Sequence, residues 1–96
     1  MIIVTAKITA KSGEKDKIIS KSRDLIESTR FESGCISYNL YASTEDENTL
    51  LIFEQWENHN VLDLHMQTKH FKAFNAAIED IKEDKVDIAI YSADKA

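Results

Sequence analysis

Residues 2 to 10 alternate, with Ile2, Val4, Ala6, Ile8 and Ala10 on one side and Ile3, Thr5, Lys7 and Thr9 on the other. This is the two-residue period of a β-strand whose even side is apolar. Ser12 and Gly13 break the alternation. Ile18, Ile19, Ser22, Leu25, Ile26 and Thr29 then recur at helical spacing among charged residues, which predicts an amphipathic helix of about five turns. Gly34 follows as its stop, because glycine takes the left-handed conformation that closes a helix without steric strain. Beyond it Ile36, Tyr38, Leu40 and Ala42 alternate with Cys35, Ser37, Asn39 and Tyr41. The polar run from Ser43 to Asn48 reads as a hairpin loop into a returning strand, Thr49 to Trp56. That strand is apolar on both sides, Leu50, Ile52 and Trp56 against Leu51 and Phe53, which marks it as central. Asn58 is placed to cap a short helix reaching about His65. Thr68 is placed to cap another, with a buried stripe of Phe71, Phe74, Ala77, Ile78 and Ile81. Val86, Ile88 and Ile90 form a last alternating strand.

The order βαββαβ is that of a ferredoxin-like α+β domain with a four-stranded antiparallel sheet, occupying residues 1–96 as a single domain. Two helical regions cover only one face of such a sheet. Ile3, Leu51, Phe53 and Tyr91 fall on the other, and a second copy of the chain in a two-fold homodimer is the commonest cover.

Composition narrows the partners. The chain has 96 residues, 43% apolar and 30% charged, with a net charge of −5, as an ordinary globular protein does. Nucleic acid and anionic lipid are not expected partners, since both draw on clustered Lys and Arg. The acids Glu79, Asp80, Glu83 and Asp84 are interrupted by Lys82 and Lys85 and read as a solvated helix end. The lone Cys35 is expected in the core, and the absence of cysteine pairs fits a reducing compartment. Ile2-Ile3-Val4 is entered without a basic leader, and no run approaches the roughly 20 apolar residues of a membrane span, so the cytoplasm is the expected location.

Candidate chemistry rests on three histidines, one Trp and several carboxylates. His65 and His70 are five apart, about 140° around a continuous helix, unlike the four-residue spacing of zinc-protease histidines. With no evident source for further ligands, no metal site is expected. No Gly-rich phosphate loop, nucleophile motif or dinucleotide fingerprint is present, so no bound cofactor is expected. His59 is expected on the surface.

The segment Phe53-Glu54-Gln55-Trp56-Glu57, continuing through Leu62, His65 and Gln67-Thr68-Lys69-His70-Phe71, resembles the signature of antibiotic biosynthesis monooxygenase domains. In that family a strand ends in Glu-x-Trp or Glu-x-Tyr and a helix follows with His-x-x-Thr-x-His-Phe. The stretch Glu32 to Tyr38 is similar to the family's helix-to-strand junction, so the resemblance spans essentially the whole chain. It is nearest to the quinol monooxygenases. It implies a homodimer of the dimeric α/β-barrel type that oxidises a hydroquinone or polycyclic phenol with dioxygen, without metal, flavin or haem. The implied route is deprotonation of the phenol, electron transfer to oxygen and collapse to a quinone.

Such chemistry needs a base that titrates near neutrality in an enclosed pocket. By the resemblance that pocket lies between the sheet and the second helical region. The expected catalytic residues are His65, then His70, with Glu54 orienting a histidine; Trp56, Tyr38 and Phe71 are expected to bind substrate. A structural role is open for each: His70 bonding backbone or Glu54, Trp56 in the core, Glu54 as a buried acceptor. In the haem-degrading branch an Asn, a Trp and a haem-ligating His form the site, where this chain has Ala6, His65 and Asn75; haem degradation is not implied. An Asn and a Tyr of the polyketide-oxidising branch are replaced by Ile52 and Leu62. Two other functions stay open. One is an isomerase or degrading enzyme for a phosphorylated autoinducer-type signal, for which Lys69 and Lys72 stand near the histidines. The other is a dimeric binding or stress-response module without turnover.

Overall fold

Even-numbered residues of the first strand pack inward along its whole length, and the rest of the fold is laid against them. The computed structural model describes residues Met1–Ala96. Its elements are β1 (Ile2–Thr9), α1 (Lys15–Arg30), β2 (Cys35–Ala42), β3 (Thr49–Trp56), α2 (His59–Met66), α3 (Lys69–Ile78) and β4 (Asp87–Ser92). The sheet order is β2-β3-β1-β4, with every neighbouring pair antiparallel. This is the ferredoxin-like βαββαβ arrangement, with β3 and β1 in the middle.

The register sets Ala6 opposite Ile52 and Val4 opposite Glu54, so the buried faces of the two central strands coincide. Ile18 and Leu25 from α1, Leu62 from α2, and Phe74 and Ile78 from α3 close over that face. Burial of these side chains, each worth roughly 1.5–3 kcal/mol, holds the helices on one side of the sheet. The opposite face carries Ile3, Leu51 and Phe53 half-buried and Tyr41 and Tyr91 exposed. No helix is long and apolar enough to cross a membrane.

Local features differ from the sequence expectation at five places. Helix α1 ends at Arg30 rather than running to Gly34, and residues 31–34 form turns. Gly34 has φ +84°, and a Cβ there would lie 2.7 Å from a Val61 methyl. It therefore serves the close approach of α2 to the α1–β2 junction and not the helix end. In β2 a bulge between Cys35 and Ser37 leaves Ile36 outside the ladder and half exposed, as bulges do. Ala77 is exposed, and Ile81 lies past the end of α3 though it packs on the core. Cys35 is only partly buried. In β4, Ile90 and Ile88 stand opposite Val4 and Ala6 yet remain about half exposed, because the helices stop short of this edge strand.

Candidate active site

Thr68 organises the second helical region. Its Oγ1 donates to the His65 carbonyl at 2.7 Å and accepts from the Phe71 N–H at 3.3 Å. One hydroxyl thus closes α2 and caps α3. The axis breaks there, so the angular separation of a continuous helix does not apply, and His70 turns back toward His65. Their ring centroids are 6.1 Å apart.

Both rings meet on Glu32. Its Oε2 lies 2.8 Å from His65 Nδ1 and 2.6 Å from His70 Nε2. Glu32 is held by the turns after α1, where its N–H donates to the Thr29 carbonyl and its carbonyl accepts from the Cys35 N–H. Arg30 ties the same junction to β2 through the Tyr38 carbonyl and the Asn39 side chain. Gly34 then allows Val61 of α2 to settle on the junction, which carries the histidines down onto the carboxylate.

A carboxylate only accepts, so the protons in these two contacts sit on His65 Nδ1 and His70 Nε2. The other nitrogen of His65, Nε2, is then a bare acceptor. It is buried and has no hydrogen-bond partner. The imidazole is 1% exposed, packed between Trp56 at 4.7 Å, Phe71 at 5.1 Å and Tyr38 at 5.4 Å between centroids. Burial lowers its pKa, opposed by the Glu32 hydrogen bond and charge. The ring is therefore poised neutral with one lone pair free.

His65 lines a narrow cavity of about 60 Å³ between the sheet and α2–α3, partly open to solvent. Val4, Ala6 and Ile52 form its floor, and Leu62, Met66, Phe71 and Phe74 form its roof. Val86, Ile88 and Ile90 stand along the β4 side. Its polar residues are Tyr38, Glu54, His65 and Asn75, and no Lys or Arg lines it. Burial raises the Glu54 carboxyl to about 7, opposed by a hydrogen bond from Trp56 Nε1 at 3.0 Å and assisted by the charge of Glu32. Tyr38 is pushed well above an ordinary phenol, first by burial and then by Glu54, so it remains a proton donor.

Of the expected site residues, His65, Glu54, Tyr38 and Phe71 line the cavity and Trp56 and His70 do not. Trp56 is fully buried behind His65, because its N–H is drawn to Glu54 on the same strand. His70 bonds neither backbone nor Glu54 but Glu32. The orienting carboxylate is Glu32, and Glu54 is hydrogen-bonded to Trp56 and to no histidine. His59 is exposed, as are Lys69 and Lys72. Glu32 escaped sequence reasoning because only the packing of Val61 on Gly34 brings it to the histidines. Its one sequence mark was its place in the Glu32–Tyr38 junction.

An antiparallel ferredoxin-like sheet with a histidine beside an apolar cavity defines the class, and sequence comparison supplies the family. Residues 1–77 match the antibiotic biosynthesis monooxygenase family, and the chain belongs to it. It is 38% identical over 90 residues to the protein sll1783 of Synechocystis, covering 94% of this chain and 61% of that protein. The chain thus spans under two-thirds of that relative's length. YcnE of Bacillus subtilis, provisionally named a monooxygenase, is 27% identical over 88 residues, covering 92% of this chain and 93% of its own. A crystal structure of a conserved Methanosarcina mazei protein superposes with a TM-score of 0.90 at 31% identity, over 94% of this chain and 89% of the other.

Proposed function

We propose that the chain is a monooxygenase-type enzyme that oxidises an uncharged, electron-rich phenol or hydroquinone with dioxygen, His65 acting as base and no resident cofactor taking part. The observation that carries this is the buried, unpartnered Nε2 of His65, a residue that lines an apolar cavity, with Nδ1–H held by Glu32. Nε2 takes the phenolic proton, and Glu32 stabilises the imidazolium that forms. The phenolate passes one electron to dioxygen, and the radical pair joins at a ring carbon bearing hydrogen. Loss of water from the resulting peroxide breaks the O–O bond and leaves a quinone. A hydroquinone instead delivers two electrons and two protons, giving quinone and hydrogen peroxide. In this reading Glu54, which titrates at about 7, and Tyr38 donate hydrogen bonds to the substrate's oxygens.

The lining also discriminates among substrates. A phosphorylated signal molecule needs cationic or multiple N–H partners, and the cavity offers no Lys or Arg; the isomerase reading loses its support. On the far face of the sheet, Ile3, Leu51, Phe53, Tyr41 and Tyr91 lie against a second copy of the chain in this proposal. A monomer by sedimentation at micromolar concentration would contradict that part.

The test is oxygen uptake and product analysis by chelator-treated protein with a panel of hydroquinones and polycyclic phenols, comparing parent and His65→Gln. Turnover in the parent that collapses in the folded variant is expected. No turnover above autoxidation with any of them would leave a binding module without catalysis as the better account.

A further inference from the structure

Glu32, His65 and His70 offer one donor atom each, Oε2, Nδ1 and Nε2, all within 4.8 Å of one another. Two imidazoles and a carboxylate are a donor set preferred by divalent transition ions. An ion about 2.0–2.2 Å from such donors holds them roughly 2.9–3.5 Å apart. The two nitrogens stand 2.8 and 2.6 Å from Oε2 and up to 4.8 Å from each other, so an ion is admitted when each nitrogen draws back from Oε2 by under about 1 Å and the two nitrogens close on each other by roughly 1–2 Å. No Lys or Arg neutralises Glu32; the histidines are its ion-pair partners.

The approach to this cluster differs from the approach to the cavity. Glu32 and His70 are 16% and 24% exposed while His65 is 1% exposed, and neither Glu32 nor His70 lines the apolar cavity. Glu32 and His70 keep partial contact with solvent, and water can complete the coordination there.

We propose that Glu32, His65 and His70 form a binding site for a divalent transition-metal ion of the Zn²⁺ or Co²⁺ kind, outside the substrate cavity. A metal on Nδ1 uses the lone pair where the proton now sits. The neutral ring then carries its hydrogen on Nε2, and the free lone pair disappears from the cavity. No electron moves; at His65 the Nδ1–H bond breaks and an Nε2–H bond forms, and at His70 the Nε2 proton gives way to one on Nδ1, both by exchange with water. Occupation of the site therefore switches His65 from acceptor to donor and silences it as a base. This last consequence rests on the proposed role of His65, whereas the site itself does not.

The experiment reads the metal without substrate. Chelator-treated full chain is titrated with Co²⁺, followed by visible absorption and calorimetry, and ¹⁵N-histidine spectra are recorded with and without Zn²⁺. The expected result is one ion per chain, binding weakened at least about tenfold in Glu32→Gln and in His70→Ala, unchanged binding in His59→Ala, and a proton on His65 Nε2 once Zn²⁺ is bound. Binding that is unaffected by both cluster substitutions, or none at millimolar Co²⁺, would overturn the proposal. So would a His65 Nε2 that stays bare with Zn²⁺ bound. Inactivity toward phenols would sink the proposed reaction and leave this readout intact.

Discussion

Glu32 and Glu54 reach the neighbourhood of His65 from different parts of the fold and meet different fates. Glu32 comes from the turns after α1, keeps some solvent contact, and accepts from two imidazoles on one oxygen. Glu54 comes from the central strand β3, accepts one N–H from Trp56, and is otherwise walled by apolar side chains. Burial without a cation lifts Glu54 to about 7. The same residue type thus serves at one place as the anion that fixes a histidine tautomer and at the other as a neutral-leaning acid inside the cavity. What separates them is the number of N–H donors and the access of water, not the chemistry of the side chain.

The sharpest way to break this contrast is to remove the group that Glu32 serves. His65→Gln is expected to lower phenol oxidation by roughly 10²–10⁴-fold, the usual contribution of a general base, measured as kcat/KM on folded protein.

Next in size is the junction that delivers Glu32. Gly34→Ala puts a Cβ into Val61 at a positive φ and is expected to cost about 2–4 kcal/mol in urea unfolding. A loss below about 0.5 kcal/mol would show that the junction is not tightly closed on α2.

The other arm is tested through pH. Glu54 titrates near its ordinary 4.5 in the unfolded chain and at about 7 in the fold, so between these values the native state holds the extra proton. Its contribution to stability is full below pH 4.5 and is lost as pH rises through 7, by on the order of 3 kcal/mol. Glu54→Gln should remove this part of the slope and leave the protein more stable than the parent at pH 8, as followed by denaturant midpoints across pH 4–8. An unchanged slope would mean that Glu54 is already ionised in the fold.

Smallest is the cap. Thr68→Ala forfeits the bond to the Phe71 N–H and the one to the His65 carbonyl, at about 1 kcal/mol. It should loosen His70 from Glu32 more than it disturbs Glu54, visible as a broadened His70 resonance.

Periodicity carried most of the fold. The alternations of β1 and β3, the spacing of Ile18, Ser22, Leu25 and Thr29, and the caps at Asn58 and Thr68 are local signals. They depend on neighbours one to four residues away, and they reappear in the structure as strands, helix and cap bonds. The site was legible only in part. The chemistry of His65 could be read from its residue type, but its partner lies 33 positions away, brought in by a turn and a glycine contact that leave no periodic trace. The 140° separation of the histidines failed because Thr68 breaks the axis between them. Trp56 was expected to face the substrate, but its N–H, drawn to Glu54, lies behind the imidazole.

The most direct test of the account is the tautomer of His65 in metal-free protein, read from ¹⁵N–¹H correlations of the histidine side chains at neutral pH. The account predicts a proton on Nδ1 and a bare Nε2, with the Nδ1 proton shifted downfield by Glu32 and the pattern lost in Glu32→Ala. A proton on Nε2 in the parent would contradict it, because the cavity would then meet a donor where the proposed chemistry needs a base.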